Sequence, residues 1–314
     1  MRGRSVSEAA ILGHTVRADP TARPRRRAWR HAPAYLLLAP SAVFLIAFTY
    51  WPILHVLADS FAERRFRGVA HAGWGNYARL FADPRFGHAV LNNLLSAVGT
   101  IVPSVTLALG LALALRETAW FATVLRTIVA LPLLLPLVAA ASLFIFIFLP
   151  GAGLLDHYLA PLGFAETNWL GDPSLALGSI VAITIWKNTG YYMLFFLAGL
   201  AGIPGELLEA AKIDGAGATR RFVHVTLPLL GPTLAFVTII ALLNVLTQVD
   251  HVIVMTQGGP SDSTMLVLYY IYQQAHQNYD VGLASAATVV SVAFLLALST
   301  ISLRSIERGI HYES

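Results

Sequence analysis

The stretch of sequence that decides the fold reads PGELLEAAKIDGAGATRRFVHVTLP and runs from Pro204 to Pro228. It carries charged residues of both signs, whereas the sequence before it (175–203) and after it (228–255) is strongly apolar. Each flanking segment exceeds the roughly 20 residues that a helix needs to cross the hydrocarbon core of a membrane. The stretch 204–228 is therefore predicted to be a loop held at a membrane surface between two transmembrane helices.

Two short helices separated by a glycine turn are predicted within this loop. Pro204 suits the start of a helix, where its missing amide hydrogen is not needed, and Glu206 and Glu209 lie near the positive end of the helix dipole. The first helix has an apolar face made of Leu207, Leu208, Ala210, Ala211 and Ile213. Gly215 and Gly217 end that helix, and a second amphipathic helix leads into the next apolar segment. Such a unit can dock on a soluble partner, or it can simply cover the ends of the spans.

The rest of the chain predicts an all-α integral membrane protein with six transmembrane helices, the loop lying between helices 4 and 5. Only 12% of the residues are charged and the mean hydropathy is +0.66, whereas soluble proteins carry about a quarter charged residues. The four further apolar segments of spanning length lie at about 34–57, 89–115, 121–149 and 283–303. Proline removes a backbone donor inside a span, so Pro103, Pro132 and Pro136 are the predicted break points.

The distribution of Lys and Arg predicts that both ends of the chain are cytoplasmic. Segments that would then lie inside hold fifteen basic residues and those outside hold five, and cytoplasmic loops carry the basic excess. The predicted organisation is an Arg-rich flexible tail at 1–33, a transmembrane domain at 34–303 and a short tail at 304–314. A mitochondrial-type targeting peptide is the alternative for the first tail. All five outer basic residues fall in the loop at 58–88, which is an exception to the rule.

At the loop 204–228 the sequence resembles the permeases of binding-protein-dependent ABC importers. Those permeases carry Glu-Ala-Ala, three residues, Gly, nine residues and Ile-x-Leu-Pro in a cytoplasmic loop. Here Glu209-Ala210-Ala211, Gly215 and Val225-Thr226-Leu227-Pro228 stand at that spacing, with Val225 in place of Ile. The resemblance implies that the loop inserts into an ATPase subunit. The coupling residues that it implies are Glu209, Ala210, Ala211, Asp214, Gly215, Leu227 and Pro228.

A narrower resemblance, to the carbohydrate-uptake group, rests on Gly75-Asn76-Tyr77, 80–86, Trp186-Lys187 and 256–260 with Thr264. Within that group the chain is most similar to the sn-glycerol-3-phosphate permeases, and the residues that carry this likeness are Trp186-Lys187, 194–196, 203–204, 213–217, 220–222, Glu307 and Tyr312. It implies a solute such as glycerol 3-phosphate or a glycerophosphodiester, with an oligosaccharide as the alternative. The implied partners are a second, different permease, two copies of an ATP-binding subunit and a periplasmic or lipid-anchored solute-binding protein. The implied location is the cell inner membrane, and no nucleic acid is expected.

Polar residues inside the spans are costly and so mark candidate positions on the solute pathway. The candidates are Lys187, Asn188, Tyr191, Asn244 and Gln248. Lys187 lies near mid-membrane, where it could meet an anionic or hydroxyl-rich solute. It could instead have a structural role, capped by carbonyls from a broken helix or paired with an acid of a partner subunit. Asn244 and Gln248 share a helix face at i and i+4, where lining of the pathway and a helix–helix hydrogen bond are both open.

The energy source is expected in another chain. A phosphate-binding loop requires a lysine after glycine, and neither Lys187 nor Lys212 follows one. We therefore expect no enzyme activity and no cofactor here, with ATP and magnesium bound by the partner ATPase, and the scattered histidines predict no metal site. The alternatives are a gradient-driven secondary transporter, which would show acidic residues or matching broken helices in the spans, and a membrane enzyme with a motif such as His-Glu-x-x-His.

Overall fold

The computed structural model describes residues 32–64, 70–117 and 119–309. The predicted tail at 1–33 lies almost wholly outside these residues, as do Arg65, Arg67 and the end of the predicted tail at 304–314. In chain order the helices are α1 (Ala32–Leu45), α2 (Trp51–Ser60), α3 (Gly75–Ala82), α4 (Pro84–Ala114), α5 (Trp120–Ala130), α6 (Leu137–Ile147), α7 (Leu154–Leu159), α8 (Ala176–Ala201), α9 (Gly205–Ile213), α10 (Ala218–Arg221), α11 (Leu227–Leu229), α12 (Gly231–Thr247), α13 (Asp250–Met255), α14 (Val267–Tyr272) and α15 (Val281–Gly309).

The chain divides into two units, the first ending at Leu54 and the second beginning at His55. In the first apolar segment, a single π-helical turn (Ile46–Tyr50) separates α1 from α2. The amide of Trp51 donates to Ile46 O across this turn, directly before Pro52, which has no amide hydrogen to donate. The wide turn therefore lies where a proline interrupts the regular hydrogen-bond ladder.

A short antiparallel hairpin follows α2 and was not predicted from the sequence. Its strands are β1 (Ala62–Arg64) and β2 (Ala70–Ala72). The carboxylate of Glu63 accepts a hydrogen bond from the amide of Gly75 at 2.5 Å, and a Cβ on Gly75 would collide with that carboxylate. The hairpin is thereby tied to the start of α3, the helix that precedes the second span.

Five helices of the described chain are long and apolar enough to cross a membrane, and one bent pair would be a sixth span. The single helices are Tyr35–Ser60, Pro84–Ala114, Ala176–Ala201, Gly231–Met255 and Val281–Thr300. The bent pair is Trp120–Leu134 with Leu137–Ile147, at an angle of 101°. These elements fall on the six predicted apolar segments, so the predicted helical membrane fold is confirmed.

The prolines inside the spans differ in their effect. Pro132 lies in the 3-10 turn that follows α5, and Pro136 precedes the first residue of α6, so both stand at the bend. Pro103 lies within α4, which runs unbroken from Pro84 to Ala114. The prediction of a break at Pro103 was wrong. One lost amide bond is tolerated where neighbouring helices hold the chain, and α4 packs on α8 more extensively than any other pair of described elements.

The core of the second unit forms where small residues let the spans approach closely. Ala108 and Ala112 of α4 are fully buried in one cluster with Tyr192, Phe196 and Val237. Small residues favour helix association in lipid, where the hydrophobic effect does not drive it. A second cluster lies beside α3 and α14 and includes Leu80, Phe86, Met265, Tyr270 and Ala286. The two clusters hold together the spans that carry the polar candidates.

Candidate functional site

The loop 204–228 folds into short helices joined by a glycine turn. Gly215 follows the end of α9 in the left-handed region, with φ of +77°, and the amide of Ala216 donates to Ala211 O at 3.0 Å. The left-handed residue turns the chain back onto the last carbonyls of the helix. Gly217 has φ of −63° and precedes α10. The glycine that this turn requires is therefore Gly215.

Most of the residues with implied coupling roles lie on the outside of this loop. The exposed ones are Glu209, Ala210, Asp214, Gly215 and Pro228, while Ala211 and Leu227 are half-buried. Ile213, at the end of α9, is 86% exposed. Leu208 is half-buried and borders clefts against the spans. The inward side of α9 therefore faces clefts against the spans, whereas the side that carries Ile213 is exposed.

A π-helical turn (Phe222–Thr226) joins α10 to α11. The amide of Leu227 donates to Phe222 O, directly before Pro228, which repeats the arrangement at Trp51 and Pro52. Arg220 is exposed and Arg221 is half-buried, while Thr226 is buried against the spans. The second half of the loop is therefore seated on the membrane domain.

Lys187 is buried in α8 at the bend of the third span. Its ammonium group donates to Pro132 O at 3.1 Å and to Leu135 O at 2.5 Å. The carbonyl of Pro132 would accept the amide of residue 136 in a regular helix, but Pro136 has no amide hydrogen. The ammonium group thus adds a second donor to Pro132 O, which already accepts from the amide of Leu135 at 3.2 Å, and it also donates to Leu135 O. These are the contacts expected from the structural interpretation of this lysine.

Gly190, one turn beyond Lys187, brings the two helices together at the same place. A Cβ at this position would stand 2.0 Å from Val129 O. Since no side chain fits there, α8 touches the backbone of α5 directly. The bend is held on one side by this close approach and on the other by the lysine.

The amide candidates lie between α8 and the end of α12. Asn188 Nδ2 is 3.5 Å from Gln248 Oε1, and Asn244 Nδ2 donates to Tyr192 OH at 3.2 Å. Helix α12 ends before Gln248, whose backbone is extended, although its amide still donates to Asn244 O at 2.9 Å. Tyr191 is half-buried, with its ring 4.9 Å from that of Phe195.

Tyr192 bonds one of these amide groups, although it was not among the candidates. It is fully buried and bonds the same amide that the sequence singled out on the fifth span. Its position four residues after Asn188, on the same helix face, was the available signal.

A second polar assembly, which was not predicted from the sequence, joins the chain before and within α4 to the chain between α13 and α15. Arg85 donates to Asp262 at 3.1 and 3.2 Å and to Gln273 at 2.9 Å. Arg79 forms an ion pair with Asp280. These five residues are named the arginine clamp. It contains both ion pairs found within the described part of the chain, and it neutralises two of the basic residues in the loop at 58–88.

Further hydrogen bonds support the arginine clamp. Asn92 donates to the backbone carbonyls of Asp262 at 2.8 Å and Met265 at 3.1 Å. Tyr270 donates to Asp83 at 2.6 Å. Burial, and then the hydrogen bond with Asp83, raise the pKa of Tyr270, so its hydroxyl keeps the proton that it donates. The contacts hold Asp262 at φ of +59°, a conformation that persists only where the surroundings determine it.

No group of three or more His, Asp or Glu side chains that could hold a metal ion occurs among residues 32–64, 70–117 and 119–309.

Spans that carry polar groups, together with an exposed loop between two of them, define a multi-span membrane transport subunit. The chain belongs to the family of binding-protein-dependent transport system inner membrane components, whose model matches residues 104–312. The family resemblance drawn from the loop 204–228 is thereby confirmed.

Named relatives cover nearly the whole chain. The sulfoquinovosyl glycerol transport system permease protein SmoG of Agrobacterium fabrum is 34% identical over 298 residues, which is 93% of this chain and 97% of that protein. The sn-glycerol-3-phosphate transport system permease protein UgpA of Brucella abortus is 32% identical over 281 residues, which is 88% of this chain and 96% of that protein.

The fold is also shared with a solved structure. A chain of a bacterial ABC transporter involved in the import of the acidic polysaccharide alginate matches with a TM-score of 0.79 at 23% identity. The match covers 90% of this chain and 99% of that one. A second structure shows a bacterial alginate ABC transporter in complex with an alginate pentasaccharide-bound periplasmic protein, with a TM-score of 0.77. At this identity the likeness concerns the fold.

Proposed function

We propose that this ABC importer permease is driven by a separate ATPase through α9. The observation that carries the proposal is the exposed end of α9, where Ile213 stands 86% exposed on a short helix between two spans. An exposed apolar side chain on a short helix whose other side faces the membrane domain suits a groove on a soluble protein. The residues proposed to make or shape that contact are Glu209, Ala210, Ala211, Asp214, Gly215, Leu227 and Pro228.

The proposed assembly contains one copy of this chain, a second and different permease, two ATP-binding subunits and a solute-binding protein. ATP and magnesium belong to the ATP-binding subunits, and both ends of this chain are cytoplasmic. The family, defined by dependence on a binding protein, and the alginate transporter seen with its periplasmic protein support the binding-protein partner. The Lys and Arg distribution supports the orientation.

The proposed solute is glycerol 3-phosphate or a related glycerophosphodiester, and an oligosaccharide is the second candidate. Two relatives are named for glycerol derivatives, sulfoquinovosyl glycerol and sn-glycerol-3-phosphate. Amide and phenol groups of the spans suit a solute rich in hydroxyls, because each can both donate and accept hydrogen bonds. The residues proposed to line the pathway are Asn188, Tyr191, Asn244 and Gln248.

Lys187 is proposed to brace the bent span rather than to bind the solute. Its two bonds go to backbone carbonyls at the bend, at 3.1 and 2.5 Å. A buried carbonyl without a partner costs about 1–3 kcal/mol. The ammonium group donates to Leu135 O and adds a second donor to Pro132 O, so it stabilises the bend wherever the solute lies.

Gly215 and Gly217 provide a matched test of coupling. Both have open space where a Cβ would stand, but only Gly215 has a positive φ. Valine at Gly215 must adopt a conformation that costs L-residues about 1–2 kcal/mol, whereas valine at Gly217 keeps an ordinary one. In vesicles containing the whole importer, Gly215→Val should lower uptake and ATPase stimulation by at least about tenfold, and Gly217→Val should keep most of both. Membrane insertion and binding to the second permease should be unchanged.

Two outcomes contradict the proposal. Normal uptake with normal ATPase stimulation in Gly215→Val would remove the coupling role of the loop. Solute accumulation driven by an ion gradient in vesicles that hold this chain without an ATPase would instead favour a secondary transporter.

A further inference from the structure

Two clefts border the inward side of α9, opposite to the side that is open to a partner. The larger has a volume of about 700 Å³ and the smaller about 270 Å³, and both are lined by Arg116, Leu208 and Thr226. They lie where α4 and α8 end and where α5 begins, which is the end of three membrane-spanning segments. Neither the transport of a solute nor the docking of an ATPase on the exposed side of α9 uses them.

Three guanidinium groups border these clefts. Arg126 already donates to Leu115 O and to Glu117 O, each at 2.8 Å, so it holds the connection between α4 and α5. Arg116 lines both clefts and Arg221 lines the smaller one. Neither of these two takes part in the ion pairs found within the described residues. Arg116 and Arg221 therefore place two positive charges around a common opening.

The larger cleft has an apolar wall directly beside this positive charge. The wall is made of Leu197, Leu200, Ala201 and Ile203 from the end of α8 and the residues after it. At the same level, Trp120 begins α5 with 79% of its surface exposed. Exposed tryptophan at the end of a span marks the depth of the lipid headgroups. The clefts thus combine cations at headgroup depth with a wall suited to hydrocarbon.

We propose that these clefts bind one anionic phospholipid, with its phosphate on Arg116 and Arg221 and an acyl chain along Leu197 and Leu200. Guanidinium groups suit phosphate because their planar donors can bond two oxygens at once. Basic pockets between transmembrane helices are known receptors for anionic headgroups. An anion is favoured as the ligand because Arg116 and Arg221 carry the same sign of charge. The lipid would hold α9 on the spans from its inward side.

Retention of lipid by the full-length chain tests the site. The chain is purified in a neutral detergent, mixed with phosphatidylglycerol or phosphatidylcholine, and analysed by native mass spectrometry. Each arginine near an anionic lipid contributes about a fivefold change in affinity. The double variant Arg116→Gln with Arg221→Gln should therefore retain phosphatidylglycerol roughly twentyfold more weakly, while retention of phosphatidylcholine stays low in both proteins.

Two single variants serve as controls. Arg220→Gln removes an exposed arginine next in sequence that lines neither cleft, so phosphatidylglycerol binding should stay within about twofold of the original. Glu117→Gln removes a carboxylate that lines the larger cleft and should strengthen binding. Inorganic phosphate is the probe for a soluble anion, and it should not displace the lipid because it gains nothing from the apolar wall.

The proposal fails under any of four results. These are equal retention of phosphatidylcholine, unchanged binding in the double variant, displacement of the lipid by inorganic phosphate, and loss of the lipid when the ATP-binding subunits join the complex. The last would assign the clefts to the partner. Because the first three results are measured on the chain without ATPase, a negative result there leaves the proposed coupling through α9 unaffected.

Discussion

The fifth span, Gly231–Met255, has the loop 204–228 at one end and the arginine clamp at the other, and the two ends use charge in opposite ways. At the clamp, Arg79 and Arg85 meet carboxylates of the same chain. At the loop, Glu209 and Arg220 are exposed and Ile213 is almost fully in contact with solvent. The charged groups of the clamp bond one another, whereas the charged and apolar groups of the loop are exposed and are proposed to meet a partner. Substitutions at the clamp should therefore change stability, and substitutions at the loop should change coupling.

Substitution of Lys187, which lies in the spans between these ends, should have the largest effect on assembly of the importer. The experiment distinguishes a structural role of the lysine from a role in solute binding. Lys187→Met removes the ammonium donor from Leu135 O and the second donor from Pro132 O, and a buried carbonyl left without a donor costs about 1–3 kcal/mol. The yield of intact importer should fall at least about tenfold, while transport per assembled complex is retained. Uptake normalised to the amount of complex recovered after size-exclusion chromatography measures both quantities.

Lys212→Met is the matched control, because Lys212 is exposed at the end of α9. Its yield should equal that of the unaltered protein. If Lys187→Met instead assembles normally and loses uptake of an anionic solute, the lysine meets the solute and the proposed brace is wrong.

Arg85→Gln tests whether the arginine clamp contributes to the stability of the fold. The substitution removes the bonds to Asp262 and Gln273, and since both side chains of the ion pair are partly exposed, the expected loss is about 1 kcal/mol. The thermal midpoint in detergent should fall by a few degrees, with uptake per folded molecule unchanged. Arg79→Gln should have a smaller effect because Arg79 is more exposed. A loss of uptake without a loss of stability would show that the clamp also serves transport.

Asp156, in the connection between α6 and α8, should have the smallest effect, which is on the pH dependence of stability. The amide of Gly151, and then the indole of Trp169, lower the pKa of Asp156, with contacts of 2.8 and 2.7 Å. Because the pKa is lower in the folded state, the stabilisation is present above the unfolded value of about 3.9 and is lost as the pH falls below it.

The fluorescence of tryptophan during thermal unfolding, recorded between about pH 6 and pH 3, checks the role of Asp156. The midpoint should decline toward low pH in the original protein, and Asp156→Asn should flatten that decline. An unchanged decline in the variant would assign the acid sensitivity to other carboxylates.

The membrane fold could be predicted because each span is a continuous apolar segment whose minimum length is set by the thickness of the membrane. A span needs about 20 apolar residues, and the helix Ala176–Ala201 lies within the predicted segment 175–203. The bend at Pro132 and Pro136 follows from two missing amide hydrogens in one turn, whereas the single loss at Pro103 was absorbed by packing. Packing is a property of neighbouring helices, so the local pattern does not contain it.

The contacts of the arginine clamp and the hydrogen-bond partners of Lys187 could not be predicted from the local sequence pattern. Arg85 and Asp262 are 177 positions apart, and neither lies in a pattern that points to the other. For Lys187 the sequence favoured a structural role but left a contact with the solute open, because an ammonium group can bond a solute as well as a backbone carbonyl. Asn188 and Gln248 were both predicted to have polar partners, because each amide lies inside a span. That they contact each other was learned from the structure.

The π-helical turn Phe222–Thr226 has a consequence for the numbering of equivalent positions among family members. Such a turn holds one residue more than an α-helical turn, and one residue rotates an α-helix by about 100°. Side chains from Leu227 onward therefore point about 100° away from the direction that an uninterrupted α10 would give them. In an alignment with a relative that lacks the wide turn, matching letters after Leu227 occupy different sides of the helix. The role of a residue after this turn can be assigned from a relative only when both its spacing in the sequence and the rotation of the helix are taken into account.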